Sequence, residues 1–89
     1  MSAFSLVVST PNGDVFRGEA TVLSVRGVEG ELAVMAHHVP FVTAIKAGSC
    51  KIELEDETVK LGHTDGGILT VAKDKVTLLA GSFTWTNLE

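Results

Sequence analysis

The chain has 89 residues, 45% of them hydrophobic and 20% charged, which allows one modest core and leaves too little for two. Its net charge is −4, and the cations Arg17, Arg26, Lys46, Lys51, Lys60, Lys73 and Lys75 stand singly along the chain. That scatter argues against nucleic-acid binding by phosphate neutralisation and against adhesion to anionic lipid, both of which need clustered positive charge.

Hydrophobic periodicity is close to two almost throughout, the signature of strands rather than helices. "FSLVVST" places Phe4, Leu6 and Val8 on one face and Ser5, Val7 and Ser9 on the other. "TPNGDVF" supplies a hairpin turn, in which Pro11 sets φ and Asn12-Gly13 tolerates positive φ. "VFRGEATVLSVRG" continues as strand, with Gly18 expected at a bulge or bend. "VEG" is a loop, and "ELAVMA" alternates through Leu32 and Val34.

Beyond "HHVP", "FVTAIKAG" is strand or irregular extended chain closed by Gly48, with no obvious partner strand. "SCKIELED" alternates through Cys50, Ile52 and Leu54, and the acids Glu53, Glu55, Asp56 and Glu57 mark a solvated turn into "TVKLG". "HTDGG" reads as a loop. "ILTVAKDKVTLLAG" is a hairpin turning at Lys73-Asp74, with Ile68, Val71, Val76 and Leu78 expected in the core. Phe83 and Trp85 belong either to a last core strand or to an exposed anchor. About eight to ten short strands at this spacing predict an all-β fold, a small β-sandwich formed by residues 1–89 as a single domain.

Candidate chemistry is sparse. His37 and His38 are adjacent, so on one strand they point to opposite faces and cannot meet one metal. Zinc needs three or four ligands, and only His63 and the lone Cys50 remain as softer donors. A free-standing sandwich binding a small ligand or metal through His37, His38 and His63 is the alternative to an interaction module. Glu29 and Glu31 flank Gly30 in a glycine loop and are expected to be solvated acids. "GVEGE" lacks the helix that a phosphate-binding loop requires behind it. No nucleophile-elbow context surrounds any serine. Cys50 has no partner for an internal disulfide. "MSAFSLVVSTP" has no cationic segment and too short an apolar run for a signal peptide, and no stretch approaches the ~20 apolar residues that span a bilayer.

The stretch "RGVEGELAVMAHHVPFVTAIKAG" resembles the corresponding stretch of the epsilon subunit of F-type ATP synthase, called delta in mitochondria. Gly27, Gly30, Glu31, His38, Pro40, Thr43, Ala44, Lys46 and Gly48 match that family's pattern in order and spacing. The opening also looks like the family's, with T-P-x-G-x-x-F-x-G-E at Thr10 to Glu19, and Gly66 to Ala80 is similar to its closing hairpin. The chain departs from the pattern at Ala36 and His37, where the family has proline and glycine, and at Ala47, where it has proline.

This resemblance implies a non-catalytic rotor subunit of a proton-translocating ATP synthase, without cofactor or metal. Val28, Glu29 and Glu31 would face the membrane c-ring. Thr10, His38, Pro40, Phe41 and Thr43 would meet the gamma subunit, leaving His37 a bystander. The family continues into a two-helix hairpin that inhibits hydrolysis and in some members binds ATP. Here the chain stops at Glu89, so the expectation is a naturally short subunit with neither property. It would sit on the cytoplasmic side of the inner (plasma) membrane, peripheral and not inserted.

Overall fold

A computed structural model of the chain describes residues 2–37 and 39–86. Ten strands follow one another: β1 (Phe4–Thr10), β2 (Gly13–Ala20), β3 (Val22–Gly27), β4 (Gly30–Met35), β5 (Phe41–Ile45), β6 (Gly48–Glu53), β7 (Val59–Thr64), β8 (Gly67–Val71), β9 (Lys75–Ala80) and β10 (Phe83–Trp85). The hydrogen-bonded ladder runs β10-β7-β6-β3-β5-β8-β9-β1-β2, with β4 on the other side of β3. Between β3 and β5 the ladder narrows to one residue pair, Gly27 with Ile45. There the chain folds over into two layers, β4-β3-β6-β7-β10 and β5-β8-β9-β1-β2, giving the expected all-β sandwich.

All neighbours pair antiparallel except β1 with β9, which run parallel, so the first strand is seated beside one near the end of the fold. β5, for which the sequence offered no obvious partner, pairs with β8 from Phe41–Val71 to Ile45–Gly67. The core lies between the layers and is built from Phe4, Leu6, Val8, Leu23, Val25, Val34, Cys50, Ile52, Leu69, Val71, Val76 and Leu78. These alternate along their strands because successive side chains of a pleated strand leave on opposite sides.

Three expectations are corrected in detail. Ile68 is not a core residue: it is 44% exposed, and Leu69, paired with the inward Leu78, takes the interior position. Gly18 makes no bulge, since it pairs regularly with Leu6. The irregularity falls instead between Val8 and Ser9, which face Phe16 and Asp14 and leave Val15 as the extra residue. The first hairpin forms as expected, turning at Pro11 and Asn12, with Gly13 at positive φ pairing Thr10. His63 is in no loop, because it sits on β7 between Ser49 of β6 and Thr84 of β10.

Gly13 and Gly30 occupy equivalent places, the first strand residue after a two-residue turn, with φ of 123° and 127°. A side chain is strained at that φ, which accounts for glycine at both. The last strand is real and half-buried: Phe83 and Trp85 meet edge to face with centroids 4.8 Å apart. The Lys60 ammonium sits 5.6 Å from the centre of the Trp85 ring. Phe83 lies over Gly62, where a Cβ would collide with its ring.

Candidate interaction surfaces

The β3–β4 hairpin closes through Val28 and Glu29, with Gly27 paired to Gly30 and Arg26 to Glu31. The turn stands at the end of the sandwich where β3 and β5 part. There the layers leave an open hollow of about 440 Å³, lined by Val28, Glu29, Glu31, Leu32, Phe41 and Thr43 together with Gly27 and Gly30. Leu32 and Phe41 are half-buried along its sides and also pack on the core, whereas Val28 is 49% exposed at the rim. Among the described residues, Glu29 and Glu31 have no cation within ion-pair distance.

The remaining predicted contact residues scatter. Thr10 is tied into the first hairpin: its hydroxyl accepts from the Asn12 amide and donates to the Gly13 carbonyl, each at 3.2 Å. Pro40 is exposed beside Val39, in the connection that carries the chain from one layer to the other. His38 lies outside the described residues. The structure thus joins Phe41 and Thr43 to the acidic turn, and leaves Thr10 and Pro40 on separate parts of the surface.

The outer sides of the two layers differ, a contrast that follows from strand register. On β5-β8-β9-β1 one outward row reads Val42, Thr70, Thr77, Val7, and the next reads Ala44, Ile68, Leu79, Ser9. No charged side chain interrupts them until Arg17 and Asp14 on β2. Val42, Ile68 and Leu79 are 67%, 44% and 54% exposed. At the rim the Arg17 guanidinium bonds Asp14 at 2.6 Å, and the Ser9 hydroxyl donates to the same carboxylate. The Ser9 hydroxyl and the Arg17 guanidinium hold Asp14 below the usual carboxylate range.

Rows on the other layer mix charge with apolar groups. Met35, Val22, Glu53 and Val59 form one, and Ala33, Ser24, Lys51 and Leu61 the next. Lys51 and Glu53 pair at 3.6 Å.

No arrangement for bond-making chemistry is present among the described residues. Cys50 is fully buried, and burial pushes its thiol up to about 12, so it supplies no thiolate at neutral pH. His37 lines a separate hollow with Phe4, Lys73 and Asp74, far along the chain fold from His63 on β7, and the two are not brought together. His37 has φ of 65°, the left-handed conformation that glycine adopts without strain. The Thr58 hydroxyl and amide hold Asp56 low, within the acidic turn between β6 and β7.

Sequence reasoning missed the two uncharged outward rows. Their signal was the unbroken run of outward Val, Thr, Ala, Ile and Leu once strand order is known, and strand order is not local information.

The comparisons with known proteins agree with this architecture. Residues 3–86 match the family model described as ATP synthase, Delta/Epsilon chain, beta-sandwich domain. The ATP synthase epsilon chain of Brevibacillus brevis is 40% identical over 81 residues, covering 90% of this chain and 61% of that one. The epsilon chain of Sulfurimonas denitrificans is 38% identical over 79 residues, 89% of this chain and 61% of its own. The chain therefore spans about three fifths of the length of these relatives. Among solved structures, a chain of the Euglena gracilis mitochondrial ATP synthase superposes with a TM-score of 0.89 at 18% identity, over 96% of this chain and 54% of that one. A chain from the Tetrahymena thermophila mitochondrial ATP synthase central stalk and c-ring gives 0.75 at 13% identity, over 92% and 66%. At such identities the likeness speaks to the fold, while the family match speaks to descent. The chain belongs to the ATP synthase delta/epsilon chain family, as a member of its β-sandwich domain.

Proposed function

We propose that this chain is a non-catalytic rotor subunit of a proton-translocating ATP synthase, joining the gamma subunit to the membrane c-ring. The observation that carries the reading is the pair of uncharged outward rows across β5-β8-β9-β1, where Val42, Ile68 and Leu79 are each more than a third exposed. A contiguous apolar face of this kind is suited to burial against a protein partner. We assign it to gamma, together with the exposed Pro40 and the Thr10 hairpin. The Val28–Glu31 turn, projecting from the end of the sandwich, is assigned to the polar loops of the c-ring, whose cations its carboxylates would attract. On this reading the chain transmits torque as a rigid body, is peripheral, and works on the cytoplasmic side of the membrane.

The test is to mix the chain with gamma from the same organism and measure mass across a size-exclusion column. A stable one-to-one complex at micromolar concentration supports the assignment, and two separate peaks count against it.

A further inference from the structure

The chain carries two asparagines and no glutamine, so Asn12 and Asn87 hold its only side-chain amides. Asn12 precedes Gly13 and stands with Pro11 in the exposed turn between β1 and β2. Its backbone amide donates to the Thr10 hydroxyl, whereas its side-chain amide has no hydrogen bond among the described residues. Gly13 has φ of 123°, and a Cβ built there would meet nothing within 4 Å. Thr10 and Gly13 form the last pair of the β1–β2 ladder, and β2 is an edge strand. Pairs at such an end open at little cost.

Asp65-Gly66 is the one comparable step in the sequence, and the fold treats it differently. There the Asp65 carboxylate accepts from the Ser82 amide at 2.9 Å, and the Gly66 amide donates to the buried Thr64 hydroxyl at 3.1 Å. A Cβ on Gly66 would lie 2.8 Å from the Ile45 carbonyl oxygen. Carboxyl and nitrogen are both engaged, and the backbone has no room to turn.

We infer that Asn12 is a self-modification site, converted through a succinimide to aspartate and isoaspartate in the folded chain. The Gly13 nitrogen gives up its proton and attacks the side-chain carbonyl carbon of Asn12. That carbon–nitrogen bond forms, the bond to the side-chain nitrogen breaks, and ammonia leaves with the proton. Glycine suits the attack because no side chain shields its nitrogen. Water then opens the ring. Addition at the side-chain carbonyl gives aspartate, and addition at the main-chain carbonyl gives isoaspartate, whose backbone runs through the former side chain. Either product places a new carboxylate close to Asp14. Isoaspartate also inserts a methylene into a two-residue turn, which breaks the Thr10–Gly13 register.

The experiment incubates the full chain at neutral pH, folded and in guanidinium chloride, beside its Asn12→Ser and Asn87→Ser variants. Intact mass follows the amide-to-acid conversion, and peptide maps separate aspartate from isoaspartate. In the folded chain both acids should accumulate at Asn12, at a rate within about tenfold of the unfolded chain's, because terminal pairs open readily. Asn12→Ser should abolish the mass gain and Asn87→Ser should keep it, while Asp65 forms no isoaspartate. Conversion only in the denaturant, or at Asn87 instead of Asn12, would overturn the inference. So would isomerisation of Asp65 in the folded chain as fast as conversion of Asn12, because the two steps would then not be distinguished by the fold.

Discussion

The outer sides of the two layers share one backbone pattern and carry different chemistry. On β4-β3-β6-β7, Lys51 and Glu53 pair across an exposed surface, and Arg26 stands opposite Glu31. On β5-β8-β9-β1, two rows of valine, threonine, alanine, isoleucine and leucine cross the sheet with no charge until the Arg17–Asp14 pair at the margin. Both layers bury their inner residues equally well, so the core cannot account for the contrast. An antiparallel sheet facing water on one side normally alternates apolar in and polar out. The first layer keeps that rule with exceptions, and the second departs from it along two whole rows.

The largest expected effect separates inside from outside on one strand. Leu69→Ala, which empties a fully buried position, should cost about 2–5 kcal/mol in chemical denaturation. Ile68→Ala, next to it and 44% exposed, should cost within about 1 kcal/mol. A larger loss at Ile68 than at Leu69 would mean that β8 has the opposite register. Next in size, Leu79→Glu on the apolar face should weaken gamma binding at least about thirtyfold while leaving the melt close to native. Lys51→Glu on the other face should leave that affinity unchanged.

Cys50 tests the interior beneath the charged face. Its folded thiol stays protonated to about 12, whereas an unfolded one ionises near 9.0. Stability contributed by the neutral thiol is thus complete below pH 9.0 and lost as pH rises toward 12. Denaturant midpoints should fall across that window in the native chain and fall less in Cys50→Ala.

A smaller effect belongs to the connection that carries the chain between layers. His37→Gly relieves a left-handed φ of 65° and should stabilise by roughly 0.5–1 kcal/mol, read as a raised denaturation midpoint. The smallest effect is Lys51→Ala, within about 0.5 kcal/mol by the same assay, because exposed pairs contribute little.

Much of this was legible in the chain. Alternation through Leu6 and Val8, Cys50 and Ile52, and Val76 and Leu78 identified strands and their inner faces, because period two follows directly from the pleat. Where apolar residues are contiguous, as in Ile68-Leu69 and Val7-Val8, parity is ambiguous. Cross-strand pairing decides it, and pairing is set by residues far along the chain. The acidic turn was found as a motif, while its place beside Phe41 depends on two layers parting at Gly27 and Ile45. Phe83 and Trp85 could not be placed from sequence because a three-residue edge strand has too little pattern to show.

The central claim is that one outer face is covered by gamma and the other remains in water. The most direct measurement is methyl NMR of the labelled chain titrated with gamma, watching both faces at once. The account predicts that Val42, Ile68 and Leu79 methyls shift or broaden, while those of Met35 and Leu61 stay in place. Changes confined to Met35 and Leu61, or none at either face, would contradict it.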